Sequence, residues 1–218
     1  MEPRGVGVLV SGQGTNLEAL LRAEAEPGFP ARVVGVAGNR GRCRALQLAA
    51  DRGLPTQALP AGRFGGDLRA RDAALATWFH GVGADLLVCA GYDRVLQAPL
   101  LEAFPGRILN VHNSLLPAFG GGMDAVELAL RHGVKVSGAT VHLVEGVTVD
   151  GGPIVLQAAV PVEEDDTPAT LLQRIHRQEW VLLPEAVRLL AAGRLRREGR
   201  RVRILPAAAG APAAAARR

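Results

Sequence analysis

Short apolar runs alternate with helical stretches through the first half of this 218-residue chain, and that alternation restricts the fold more than any other feature. "GVGVLV" (5–10), "ARVVGVAGN" (31–39), "ADLLVCAGY" (84–92) and "RILNVH" (107–112) read as buried strands. "LEALLRAEAE" and "CRALQLAADRG" read as helices, the second stopped by Gly53. A third helix falls within 65–83, with Asp67 as its cap and Leu68, Leu75 and Phe79 spaced for one face. Strands that are apolar throughout need cover on both sides. The pattern therefore predicts an α/β fold, Rossmann-like, with a mainly parallel central sheet and helices on both faces.

The second half changes character. "AVELALRHG" is helical, and "GATVHLVEG" and "PIVLQAAVPV" are two strands near enough in sequence to pair antiparallel. "ATLLQRIHRQEWVLLPEAVRLLAAGRL" is a long helix expected to break or kink near Pro184. The expected organisation is one domain over 1–206 with an antiparallel C-terminal extension, then a disordered Ala/Pro/Gly/Arg tail over 207–218.

The net charge of +4 is concentrated at one end. From Arg194 onward there are eight Arg and one Glu, whereas the rest carries 17 basic against 20 acidic residues. The body shows no basic patch interleaved with aromatics, so nucleic acid is not an expected partner. Cys43 and Cys89 have no zinc-like spacing, and Cys89 reads as a small packed side chain. The N-terminus lacks a secretory pattern, and no apolar run reaches the roughly 20 residues that span a bilayer. A cytoplasmic protein without metal or membrane contact is expected, as monomer or homodimer.

Two stretches carry chemistry. "VSGQGTN" (10–16) joins the first strand to the first helix. Gly12 and Gly14 allow tight turns and close backbone approach, Thr15 or Asn16 can cap the helix, and free N–H groups there suit an anion. No third Gly completes a dinucleotide fingerprint, the second strand ends in Asn39 rather than an acid, and no Lys-Ser or Lys-Thr follows. A single phosphate fits this loop better than a dinucleotide, and an ordinary Gly-rich turn is the bland alternative.

The other stretch is "GRILNVHNSLLPAFGG" (106–121). Residues i and i+2 of a strand share a face, so Asn110 and His112 point the same way where the strand runs out. In an open parallel sheet ligands bind at that carboxyl end. Asn110 can donate to a developing oxyanion, and Asp150, in the turn "TVDGGPIV", brought near His112 would favour the imidazolium. Such a trio supports proton transfer at a carbonyl adduct. A satisfied structural His at the strand end is the bland alternative. His142, alternating inside an apolar strand, reads as structural. Phe119, Met123, Trp78 and Trp180 read as packing.

Together "LVSGQGTNLEALL", "ADLLVCAGYDRVL", "RILNVHNSLLPAF", "GATVHLVEGVTVDGGPIVLQAAVPV" and "RQEW" resemble the phosphoribosylglycinamide formyltransferase family over roughly 5–196. The resemblance implies a formyltransferase fold and formyl transfer from 10-formyltetrahydrofolate, as co-substrate, to the amine of glycinamide ribonucleotide in purine synthesis. It implies Asn110 as oxyanion ligand, His112 as catalytic acid and Asp150 as its partner. Gly14, Thr15 and Asn16 would hold the substrate phosphate, and His176, Arg177, Gln178 and Glu179 its glycinamide part. The folate would lie against Asp93, Arg94, Val95 and Leu96 and against the loop Glu145, Gly146, Val147, Thr148, Val149 and Asp150, with Arg69 as a further contact. Against the family pattern, Asn113 replaces a Pro, Asp124 replaces a His, and the stretches Phe64–Asp72 and His142–Asp150 look one residue long, which would displace Asp150. Methionyl-tRNA formyltransferase carries a further C-terminal domain and formyltetrahydrofolate deformylase an N-terminal one, so the chain's length favours neither. A non-catalytic folate- or phosphate-binding relative is the reading from another class.

Overall fold

In the computed structural model, which describes residues 2–146 and 148–207, the chain runs β1 (Arg4–Val10), α1 (Thr15–Glu24), β2 (Ala31–Gly38), α2 (Arg44–Asp51), β3 (Thr56–Ala58), α3 (Leu68–Gly81), β4 (Leu86–Cys89), α4 (Ala98–Ala103) and β5 (Ile108–His112). It continues through α5 (Ala125–Arg131), β6 (Val136–Leu143), β7 (Ile154–Pro161), α6 (Pro168–Ala191), β8 (Leu195–Glu198) and β9 (Arg201–Ile204). The strands form one sheet in the order β3-β2-β1-β4-β5-β6-β7-β9-β8. The first five strands pair in parallel, β5–β6 and β6–β7 are antiparallel, and β9 joins β7 in parallel before pairing antiparallel with β8. The mainly parallel core with an antiparallel extension is thus the observed fold.

Side-chain alternation divides the core between the two faces. Val6, Val8 and Val10 of β1 join Leu17, Leu20, Ala45, Leu183 and Val187 from α1, α2 and α6. Leu9 faces the other way, into Leu75, Phe79, Leu100 and Phe104 of α3 and α4 with its following turn. The glycines of "GVGVLV" serve that second face: a Cβ on Gly7 would sit 2.4 Å from the Phe79 ring, so α3 packs this close only over glycine. Asp67 caps α3, accepting from the N–H groups of Arg69 and Ala70.

One sequence expectation changes, one element is unforeseen, and one expectation falls almost wholly outside the described residues. Helix α6 runs unbroken through Pro184, because Leu183, Ala186 and Val187 around it are buried against the sheet and outweigh one missing hydrogen bond. The β8–β9 hairpin is not foreshadowed, since "LRRE" carries no apolar alternation and that of "RVRI" spans only four residues: both strands are largely exposed at the sheet edge. Of the expected tail, only Ala207 is among the described residues; 208–218 lie outside them.

Chain order reverses between β1 and β4: after β1 the chain builds outward through β2 and β3, then crosses back to place β4 on the other side of β1. The loops leaving β1, β4 and β5 therefore converge at one edge, where an open sheet leaves a crevice.

Candidate active site

A cavity of about 500 Å³ opens at that crevice. Its floor carries Asn110 and His112 from the end of β5, and its walls come from the loop after β1, the segment after β4, the loop before β7 and one face of α6.

At the β1 end, Gly14 is the N-cap residue of α1 with φ 82°, and a Cβ there would meet Ala45 at 2.9 Å. Only glycine fits both demands. Neither Thr15 nor Asn16 caps the helix, contrary to expectation, and no side chain does. The N–H groups of the first turn are thereby left free for an anion. Asn16 is engaged elsewhere, its Nδ2 donating to Glu179 Oε2 at 2.8 Å. Both side chains are buried, and Asn16 Oδ1 has no protein partner among the described residues. Burial pushes the Glu179 carboxyl up, against the pull of Asn16 and His176, and its net position is above the usual carboxylate range. His176 Nε2 lies 4.0 Å from it, one helical turn away.

The centre is built from β5, β6 and the loop to β7. His112 and Asp150 meet, with Nδ1 to Oδ2 at 3.4 Å and both side chains under a tenth exposed. His112 Nε2 lies 3.1 Å from the Phe119 carbonyl. An imidazole flanked by two acceptors satisfies both only when both nitrogens carry hydrogen. Phe119 aims that carbonyl from φ 56°, a conformation costing a non-glycine residue about 1–2 kcal/mol. Asp150 also sits at positive φ, 54°, and Gly146 at 66°. These two left-handed residues bend the loop back on itself, so the extra residue expected to displace Asp150 leaves it in contact with His112.

Each carboxylate oxygen of Asp150 has its own partners. Oδ2 accepts from the Gly121 N–H at 2.9 Å, and Oδ1 faces Asn110 Nδ2 at 3.4 Å and His142 Nε2 at 3.5 Å. Burial alone would raise this carboxyl, but the His142 ring, the Gly121 N–H and His112 together hold it below the usual range.

His142 corrects the sequence reading. It lies directly opposite Asn110 in the β5–β6 ladder, and Asn110 Nδ2 approaches its Nε2 at 3.0 Å. Nδ1 faces the Leu143 carbonyl at 3.0 Å, so a ring with its one hydrogen there accepts from Asn110 at Nε2, and a ring with a second hydrogen donates from Nε2 to Asp150 Oδ1. A register shift beside His142, where β7 gains a residue, helps to aim the ring at the cavity. The signal was cross-strand register, which periodicity does not reveal. The "SLLP" turn, by contrast, is scaffold: Thr140 Oγ1 donates to the Ser114 carbonyl at 2.7 Å and accepts from the Leu116 N–H at 3.1 Å.

The wall after β4 contains Asp93, Arg94, Val95 and Leu96, all lining the cavity. Asp93 is tied to the ends of β1 and β2: its N–H donates to Ser11 Oγ at 3.0 Å, and its Oδ1 accepts from Asn39 Nδ2 at 2.6 Å. Desolvation raises its carboxyl, but Asn39, Ser11 and Arg40 bring it below the usual range. Val95, Met123 and Val149 are exposed large apolar side chains at the cavity lining. They give a polar floor an apolar rim.

Of the expected site residues, Gly14, Thr15, Asn16, Asp93, Arg94, Val95, Leu96, Asn110, His112, Gly146, Thr148, Val149, Asp150, His176 and Glu179 gather at the cavity. Arg69, Glu145, Arg177 and Gln178 do not line it. Arg69 is exposed on α3, and Arg177 is exposed on α6, turned from the face that carries His176 and Glu179. Glu145 instead pairs with Arg197 of β8 at 2.7 Å. Val147 lies outside the described residues. Among the described residues, no group of three or more His, Cys, Asp and Glu side chains is placed to hold a metal, and no helix is long and apolar enough to cross a membrane.

Residues 5–187 match the formyl transferase family. The chain is 43% identical over 213 residues to the phosphoribosylglycinamide formyltransferase of Mycobacterium tuberculosis, covering 93% of this chain and 94% of that one. It superposes on the glycinamide ribonucleotide transformylase 1 of Symbiobacterium toebii with a TM-score of 0.90 at 48% identity, covering 94% and 95%. It is also 39% identical over 188 residues to the chicken (Gallus gallus) trifunctional purine biosynthetic protein adenosine-3, but spans only 18% of that relative's length.

Proposed function

Because this chain belongs to the formyl transferase family, we propose that it moves a formyl group from 10-formyltetrahydrofolate to the primary amine of 5-phosphoribosylglycinamide, in purine biosynthesis. Formyl transfer to phosphoribosylglycinamide is the activity named for its near full-length bacterial relatives, and it supports this reading. The observation that carries the residue roles is the contact between Asp150 and His112 on the cavity floor.

The uncapped first turn of α1, with Gly14, Thr15 and Asn16, receives the substrate phosphate through backbone N–H groups. Glu179 and His176 face the glycinamide end, which brings the amine toward the floor. The folate supplies the formyl group; its aromatic body suits the apolar rim of Val95, Met123 and Val149. Holding both substrates in one cavity converts a bimolecular encounter into a local one.

Asn110 and His112 then act on the carbonyl oxygen as the amine attacks. Asn110 Nδ2 has a short contact to His142 and a long one, 3.4 Å, to Asp150; the long one is the donor that turns to the oxyanion. His112 gives up the Phe119 carbonyl to bring Nε2 to the reacting centre, while Asp150 keeps Nδ1 engaged. His112 gives its Nε2 proton to the departing nitrogen of the donor as the C–N bond breaks, and the proton that leaves the attacking nitrogen restores it.

The test is direct. The purified protein is incubated with both substrates, and tetrahydrofolate and formylated product are followed. Formate release without formylated product would overturn the reading in favour of donor hydrolysis, and binding without turnover in favour of a non-catalytic role. His112→Ala should reduce kcat roughly 10²–10⁴-fold while leaving affinity for phosphoribosylglycinamide nearly unchanged. Equal loss of both would make the histidine structural.

A further inference from the structure

We infer that the buried pair Arg71–Asp72 is a positioning device that holds the Asp93–Gln97 wall of the cavity and so sets affinity for the donor substrate. Only the identity of that donor rests on the proposed function.

Arg71 and Asp72 lie on α3 with their side chains wholly buried. Arg71 Nε donates to Asp72 Oδ1 at 2.7 Å, and Nη2 lies 2.6 Å from the same oxygen. Adjacent helical residues do not ordinarily face each other, so this pairing means that both side chains bend toward one target. The target is a single short segment. Arg71 Nη2 also donates to the Val95 carbonyl at 3.3 Å, and the Gln97 N–H donates to Asp72 Oδ2 at 2.6 Å. The two charges therefore grip the backbone at two points, two residues apart.

The far end of the segment is held independently, by Ser11 and Asn39 on Asp93. Fixed at 93, 95 and 97, the backbone presents Val95 and Leu96 to the cavity in one arrangement. The packing around the pair does not call for charge. The same helix buries Leu75, Ala76 and Phe79, and α4 adds Leu100. Apolar residues of similar volume commonly serve as well as a buried ion pair, or better, for stability alone. A pair kept at that disadvantage, with both charges directed at one substrate-facing segment, fits positioning. Arg69, two residues earlier, is exposed and makes no such contact.

The test uses the full-length double variant Arg71→Met/Asp72→Asn, which removes both charges together and strands neither. Its amide exchange, its tetrahydrofolate affinity by calorimetry and its KM for phosphoribosylglycinamide are compared with wild type. Positioning predicts Gln97 N–H exchange about tenfold faster, tetrahydrofolate affinity about tenfold weaker, and phosphoribosylglycinamide KM within about twofold. Unchanged exchange at Gln97, or equal weakening toward both ligands, would overturn the inference. If the double variant does not melt cooperatively, Asp72→Asn alone is read by the same measures, with a smaller change in the same direction. A wild-type protein without affinity for tetrahydrofolate would overturn the donor assignment, and the Gln97 exchange then decides the positioning role by itself.

Discussion

Asp150 Oδ2 lies 3.4 Å from His112 Nδ1, while Oδ1 of the same carboxylate faces both Asn110 and His142. One side chain on a loop thus orients three groups carried by two antiparallel strands. The Gly121 N–H fixes the carboxylate from the remaining side. The position of the loop and the geometry of the strand-borne groups are therefore one variable.

Asp150→Asn keeps the shape and removes the charge. It should lower kcat by roughly 10²–10⁴-fold, with a much smaller effect on either KM. Steady-state kinetics with each substrate varied in turn checks this; a change confined to KM would mean that the carboxylate only shapes the pocket.

His142→Ala takes away the acceptor that holds Asn110. Freed to rotate, Asn110 should serve the oxyanion less well, and kcat should fall roughly 10–100-fold. The double variant with Asn110→Ala should be little worse than Asn110→Ala alone, since both changes act through one amide. Additive losses would assign His142 an independent role.

Gly14→Ala meets two obstacles, the positive φ and the backbone of Ala45. The expected cost is about 1–2 kcal/mol of stability from the conformation alone. The KM for phosphoribosylglycinamide should rise about tenfold, with the folate KM nearly unchanged, because a displaced first turn of α1 mis-aims its N–H groups. Thermal melting and kinetics separate the two effects.

The Asp150 carboxyl is held below its usual range in the folded protein. Its contribution to stability is therefore fully present above the unfolded value, near pH 4, and is lost as pH falls through the lower folded value. The stability difference between wild type and Asp150→Asn should shrink as pH falls below about 4. Urea unfolding from about pH 5 down to about pH 2 tests it; a difference that persists undiminished at the acid end would mean that the carboxyl is not held low by the fold.

The two cysteines should differ in reactivity. Cys89 is buried, and desolvation with the nearby Asp72 charge pushes its thiol up to about 12, while Cys43 is partly exposed. At about pH 8 an alkylating reagent should modify Cys43 and spare Cys89 until the protein is unfolded. Peptide mapping after a timed reaction reads this, and rapid loss of the Cys89 thiol would mean that the β4 end opens readily.

What the sequence reveals follows from the range of the interactions. Strand and helix alternation is local, so β1, β2, β4 and β5 were legible, as were the shared face of Asn110 and His112 and the cap at Asp67. The pairing of β5 with β6 is not local. Asn110 meets His142 only because of a register set by the whole sheet, and a histidine within an apolar strand gives no hint of it. Arg69 and Arg71 differ by about 200° around α3, and tertiary packing decided which one turned inward. The three-residue β3 and the arginine-rich β8–β9 hairpin lack the continuous apolar run that marks buried strands, because little of either is buried.

The ladder that seats Asn110 against His142 and His112 against Thr140 carries a consequence for any redesign. Inserting one residue early in β6 would reverse which side of the pleat its later side chains occupy, sending the ring of His142 into packed hydrocarbon and a valine into the crevice. Catalytic competence and correct strand alignment would then fail together, so a library that varies the length of the connection from β5 to β6 can be screened for folding by turnover alone.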